Sequence, residues 1–168
     1  MNFFPGKEEK RKEQIIEEII LKKYTQYYRL AYSYVHNEED AADIVQNTAY
    51  KALRGCKDLR NTEYAETWLY RILLNEIFRV LKQPQTVSYE EFVEKTGNES
   101  ESAEDKYEDM DLQRVLDFME AKDKLVVELR YFEDRKLADI ALLLNENVST
   151  VKSRLYRSLQ KMKIKLEE

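Results

Sequence analysis

Cysteine occurs once in the 168 residues, at Cys56, and histidine once, at His36. One thiol cannot close an intramolecular disulfide. With one distant imidazole it is too little for a cysteine-based zinc cluster or a Cys–His catalytic pair. Glycine and proline are almost as scarce, with three and two copies. These residues break helices, so their scarcity leaves long stretches free to be helical. No apolar run approaches the roughly 20 residues that a membrane-spanning helix needs. Residues 1–12 lack the apolar region of a secretion signal, so the chain is expected to stay in the cytoplasm. No phosphate loop or nucleophile–base set is present in the sequence either. The expectation is a protein that is not an enzyme and that uses no cofactor or metal.

What the sequence has in abundance is charge, at 36% of residues, with a net of −5. The acidity is local. Residues 84–111 hold ten acids and two lysines, whereas 1–83 and 112–168 are each slightly basic. Local basic stripes, not the total, decide phosphate binding. The acidic segment also loses apolar periodicity from Gln83 to about Glu104. That composition predicts a flexible, solvated linker. It divides the chain into a first domain, 1–83, a linker, 84–111, and a second domain, 112–168.

In the first domain Ile15, Ile16, Ile19, Ile20, Tyr24, Tyr27, Tyr28 and Ala31 recur at helical spacing and predict a helix over 15–34. Residues 1–12 precede this pattern, and the sequence leaves open whether they are ordered. Asn37 is placed to cap a second helix, 38–53, with Ala41, Ile44, Val45, Thr48, Ala49 and Ala52 on its apolar face. Gly55 fits as its stop. Asn61 or Thr62 opens a third helix through Trp68, Leu69, Ile72, Leu73, Ile77 and Val80, ended by Pro84. The second domain predicts four short helices, at 112–119, 123–132, 137–144 and 147–166. The fold class is therefore all-α, two small helical domains.

The strongest local signal runs from Lys136 to Lys163. A helix-turn-helix needs a small residue where its helices cross, and Ala141 supplies it. Asn145, four residues on, suits a turn that needs positive φ. Val151 and Leu155 then form the face of the second helix that locks against the first. From Asn147 through Leu166 there is no acid. Ser149, Thr150, Lys152, Ser153, Arg154, Tyr156 and Arg157 give that helix the hydroxyls and cations that read bases and hold phosphate. An amphipathic C-terminal helix complementing its own dipole would account for Lys161, Lys163 and Lys165. It would not account for Ala141, Asn145 and Val151.

A second cluster lies on the third helix. Arg71, Asn75, Arg79 and Lys82 recur at intervals of four, four and three, next to Trp68 and Tyr70. Cations and an amide beside aromatics suit single-stranded DNA, whose unstacked bases seek aromatic or polar pockets. Trp68 is expected in the core and Tyr70 outward.

At these residues the sequence resembles the extracytoplasmic-function (ECF) group of sigma-70 family RNA polymerase sigma factors. Residues 37–48, NEEDAADIVQNT, are similar to the family segment that docks on the clamp helices of the polymerase β′ subunit. Residues 65–75, AETWLYRILLN, are similar to the segment that opens and reads the −10 element. LADIA at 137–141 followed by VSTVKSRL at 148–155 resembles the −35-reading helix-turn-helix. The resemblance implies that the two domains are sigma regions 2 and 4, and that the chain directs promoter recognition without catalysis. It implies core docking through Asp40, Asp43, Gln46 and Asn47, which share a helix face. It implies −10 contacts from Tyr70, Arg71, Asn75, Arg79 and Lys82, and −35 contacts from the polar residues of 149–157 named above. The implied partners are core polymerase (β′ clamp helices and β flap), promoter DNA and an anti-sigma factor. The chain would associate with the nucleoid when bound to polymerase. Departures from the pattern are Arg79 in place of an acid, Leu81-Lys82-Gln83 in place of a paired arginine, Asn145 in place of glycine, Glu146 in place of an apolar turn residue, and Ser149 in place of glycine.

Two other classes fit part of the sequence. A stand-alone regulator would use the helix-turn-helix but leave residues 37–48 and 65–75 as ordinary core. A helical adaptor would need none of the basic residues.

Overall fold

The computed structural model describes residues 6–82 and 103–167, with 103–110 described by backbone alone. The described residues contain α-helices and two short 3-10 turns, and no strand. Helix α1 spans Lys7–Val35, α2 Glu38–Arg54 and α3 Ala65–Leu81. They are followed by α4, Ala103–Phe118, α5, Ala121–Tyr131, α6, Leu137–Leu144, and α7, Val148–Glu167. The 3-10 turns Cys56–Asp58 and Thr62–Tyr64 join α2 to α3.

The first three helices form one bundle. Leu30, Ala31 and Val35 of α1 face Ala41, Ile44, Val45 and Ala52 of α2, and Leu69, Leu73 and Ile77 of α3 close the core. The chain reverses between α1 and α2 because His36 takes a left-handed conformation, φ 53°, and ends α1. Asn37 then opens α2 by accepting a hydrogen bond from the Asp40 amide at 2.9 Å, as the sequence predicts. Gly55 ends α2, but with φ −100°, so a left-handed turn is not the reason for glycine. A side chain there would bring Cβ to 3.2 Å from the Lys51 carbonyl oxygen, and close approach is what the missing side chain allows.

Two boundaries differ from expectation. Helix α1 begins at Lys7 and not near Ile15, so residues 7–12, whose order the sequence leaves open, are helical. Glu8 and Glu9 lie in its first turn, where carboxylates stabilise unpaired backbone N–H groups. Helix α4 begins at Ala103, ahead of the expected domain start at 112. The rest of the expected linker, 84–102, lies outside the described residues.

The second bundle packs α4 to α7 around Leu116, Leu125, Val126, Leu129, Ile140, Val151 and Leu155. Asn145 ends α6 with φ 55°, and the Glu146 amide reaches back to the Ala141 carbonyl at 3.0 Å. This is the left-handed turn expected of a helix-turn-helix. Ala141 is buried at the crossing and Val151 is sealed beneath the second helix.

Glu76 is a charged residue in an apolar core position, with a side chain 2% exposed. Its carboxylate accepts from Lys51 on α2 and from Arg79 one turn along α3, the latter at 3.0 Å. Burial opposes its ionisation, but hydrogen bonds from Lys51 and Arg79 outweigh burial and hold its carboxyl below the ordinary range. A depressed native pKa gives stability that is present above the unfolded value and lost as pH falls through the native one. Glu76→Gln is therefore expected to lower the thermal midpoint at pH 7, by an amount equivalent to about 1–3 kcal/mol. The deficit should shrink on acidification below about pH 4.5. Thermal melts from pH 3 to 7 check this, and a deficit that stays constant with pH would contradict it.

Candidate nucleic-acid interface

Helix α7 presents two unlike faces because its sequence alternates at helical spacing. Val151, Leu155, Ser158 and Met162 are buried against the domain. Ser149, Thr150, Lys152, Ser153, Tyr156 and Arg157 are exposed on the other side. Arg154 is the exception among the residues expected to contact DNA. Its guanidinium donates to Asp123 of α5 at 2.9 Å and lies 3.7 Å from Glu146 in the turn. Lys122 pairs with the same Glu146 oxygen. Arg154 thus ties α7 to α5 and to the helix-turn-helix turn. The departure noted at Glu146 has a partner in Arg154, a link that sequence spacing alone does not reveal.

On α2 the structure brings together the four residues expected for core docking. Asp40, Asp43, Gln46 and Asn47 are all exposed and share a face, as intervals of three, three and one require. Sequence reasoning missed Tyr50, 60% exposed and one turn beyond Asn47. Arg54 donates to its hydroxyl at 2.9 Å and lies over its ring. An exposed aromatic four residues before an arginine was the available signal.

The α3 cluster is divided. Arg71, Asn75, Arg79 and Lys82 are exposed, and Arg79 is committed in part to Glu76. Tyr70, expected to face outward, is 2% exposed. The second domain and α1 cover it together. The α5–α6 connection of the second domain turns sharply at Asp134, φ 52°, and delivers Glu133 and Arg135 onto α3. The Tyr70 hydroxyl donates to Glu133 at 2.9 Å, and the Arg135 guanidinium sits 4.7 Å from the Tyr70 ring centroid. Tyr27 packs edge-on against the same ring from α1. Arg135 also pairs with Glu66 at 2.6 Å, and Lys23 completes that pair at 3.0 Å. Arg71 donates to the Leu142 carbonyl, near the C-terminal end of α6, at 2.8 Å.

Further polar contacts join the domains around Ser33. Its hydroxyl donates to Glu128 at 3.0 Å, and its carbonyl accepts from Lys124. Tyr34 donates to the Ala121 carbonyl at 3.1 Å, and His36 lies 3.3 Å from Asp117. Burial pushes the Glu128 carboxyl up to about 7, against the opposing charge of Lys124 and the Ser33 hydrogen bond. Burial raises Glu133 as well, opposed by the hydrogen bond from Tyr70. An open groove of about 400 Å³ runs beside these contacts, between Tyr28, Arg29 and Tyr32 on α1 and Leu116, Glu128 and Phe132 of the second domain.

Cys56 is buried, and its sulfur lies within 4.8 Å of carboxylate oxygens of Glu9 and Glu13. Burial, followed by the charges of Glu13 and Glu9, raises the thiol pKa. Among the described residues no helix is long and apolar enough to cross a membrane.

Comparison with known proteins agrees with this geometry. The model for sigma-70 region 2 matches residues 19–86, and that for sigma-70 region 4 matches residues 109–162. The chain is 42% identical over 142 residues to the RNA polymerase sigma factor SigV of Bacillus subtilis, across 83% of this chain and 84% of that one. It is 27% identical over 154 residues to the ECF RNA polymerase sigma factor SigE of Mycolicibacterium smegmatis, across 88% of this chain and 60% of that one. Two solved structures share the fold. CnrH in complex with the cytosolic domain of CnrY gives a TM-score of 0.69 at 18% identity, over 90% of this chain and 87% of that one. The sigma factor RpoE in complex with the anti-sigma factor NepR, from Bartonella quintana, gives 0.68 at 21% identity, over 90% and 96%. Two sigma-70 regions in this order, with a relative that similar over most of both chains, place the protein in the sigma-70 family of RNA polymerase sigma factors, in its ECF group.

Proposed function

We propose that this sigma factor docks on core polymerase through Asp40, Asp43, Gln46 and Asn47 of α2 and reads promoters with two separate surfaces. The outer face of α7 meets the −35 element in duplex form, with Ser149 and Thr150 nearest its N-terminus and Lys152, Ser153, Tyr156 and Arg157 following. Arg71, Asn75, Arg79 and Lys82 of α3, with Tyr70 once it is uncovered, receive the melted −10 strand. The observation that carries this reading is the separation of chemistry. Acids and amides are exposed on α2, cations with one amide on α3, and cations with hydroxyls on α7, each on the solvent side of an apolar core. No bond-making step is assigned to the chain, which works in the cytoplasm and joins the nucleoid with polymerase.

The β′ clamp helices are the basic surface proposed to meet α2, and the β flap the surface for the second domain. An anti-sigma factor is the proposed regulator. The solved neighbours CnrH and RpoE were each captured with a partner, for RpoE an anti-sigma factor, and a groove between the domains offers room for a docked segment. Run-off transcription with purified core polymerase on a pool of genomic promoters tests the whole reading. Transcripts that appear only with the chain support it. A chain that binds duplex DNA unaided and neither co-elutes with core nor starts transcripts would instead be a stand-alone regulator.

A further inference from the structure

The two DNA surfaces are packed together here. Arg71 touches the Leu142 carbonyl, and α6 leads through the turn at Asn145 directly into α7. The −10 surface and the start of the recognition helix therefore lie within the width of one helix-turn-helix. Elements named for −35 and −10 lie about 25 base pairs apart, roughly 85 Å of duplex at about 3.4 Å per step. Helix α7, with 20 residues, is only about 30 Å long. This arrangement cannot hold both elements at once.

The chemistry of the contact is equally specific. Tyr70 and Arg71 are donors, and a melted strand would offer them acceptors. In the packed state acceptors come from the second domain, the Glu133 carboxylate to Tyr70 and the Leu142 carbonyl to Arg71. That carbonyl sits in the last turn of α6, the negative end of the helix dipole. The second domain thus offers the −10 face a carboxylate and a dipole end in the places that phosphate and base oxygens would take. Arg135 lies over the Tyr70 ring, where a base would stack, and is anchored by Glu66. These contacts are hydrogen bonds and ion pairs. A contact so composed is suited to opening.

From these contacts we infer that the chain carries its own inhibitory latch: Glu133, Arg135 and the end of α6 occupy the −10-reading face until the domains separate. The inference rests on the reading of α3 as the −10 surface. It adds that the chain alone, with no anti-sigma factor, is held closed by named residues outside the DNA-contacting set.

The test uses the full chain in two variants that attack the latch from opposite sides, Glu133→Ala with Arg135→Ala, and Glu66→Gln. Small-angle scattering reads domain separation, and far-UV circular dichroism confirms retained helix. Fluorescence anisotropy of a labelled, mixed-sequence single-stranded oligodeoxynucleotide reads access to α3. The expected result is a compact wild type, a larger radius of gyration in both variants, and oligonucleotide affinity raised about tenfold, as for a binding-competent state populated near one-tenth in the wild type. A wild type already extended, or folded variants as compact and as weakly binding as the wild type, overturns the latch. Run-off transcription separates the two ideas. A wild type that initiates but is never compact sinks the latch alone, whereas one that closes and opens yet never initiates sinks the promoter reading beneath it.

Discussion

Asp43→Lys combined with Gln46→Ala is expected to weaken association with core polymerase by about a hundredfold and leave the fold intact. Both side chains are exposed on α2, and exposed substitutions usually shift stability by no more than about 0.5 kcal/mol. Placing a cation against a basic docking surface costs several kcal/mol through like-charge contact. Asp43 is the better target than Asp40, which lies in the first turn of α2, its amide bonded to the Asn37 cap. Reversing charge there would also oppose the helix dipole. Competition for core enzyme against the wild type, with circular dichroism and melting as controls, decides the matter. Unchanged affinity would remove α2 from the docking surface.

Lys152→Ala with Arg157→Ala is expected to cut initiation at −35-dependent promoters by about 10- to 100-fold while core affinity holds. The slope of log affinity against log salt should fall by about two, because each lost phosphate contact releases about one fewer counterion. Both residues stand clear of the domain on the outer side of α7. Arg154→Ala makes the instructive contrast. Its guanidinium is held by Asp123 and neighbours Glu146, so its loss should destabilise the second domain by about 1–3 kcal/mol. Any loss of initiation in Arg154→Ala is therefore expected to come with a lower melting temperature. A double variant with normal initiation and unaltered salt dependence would show that α7 does not meet DNA phosphate through these residues.

How much of this was legible in the sequence depends on the range of the forces involved. Local rules placed the Asn37 cap, the left-handed Asn145 and the α6 span, because capping and backbone sterics act within four or five residues. Periodicity found the helices but ran short at Lys7, where a charged first turn extends α1 beyond its apolar stripe. It could not foresee that Glu76, on the buried side of α3, would be satisfied by Lys51 from another helix. Tyr70 shows the limit most plainly. A tyrosine beside Arg71, on the helix that carries Asn75 and Arg79, reads as outward, and side chains distant in sequence cover it, Tyr27 from α1 and Glu133 and Arg135 from the second domain. Asp134 gave little warning of its positive φ, since aspartate tolerates that conformation without requiring it. The exposure of Asp40, Asp43, Gln46 and Asn47 on one face of α2 was readable because a solvent-facing set needs only helical spacing. The latch was not, because it is a property of two domains meeting.

The surroundings of Cys56 carry a practical consequence. A sulfur shut away from solvent, its pKa raised by that burial first and then by the charges of Glu13 and Glu9, is a poor nucleophile toward maleimides at neutral pH. Spectroscopic probes could be attached to new thiols introduced on either domain while the native one stays in place, and the bundle it helps to fill would remain undisturbed.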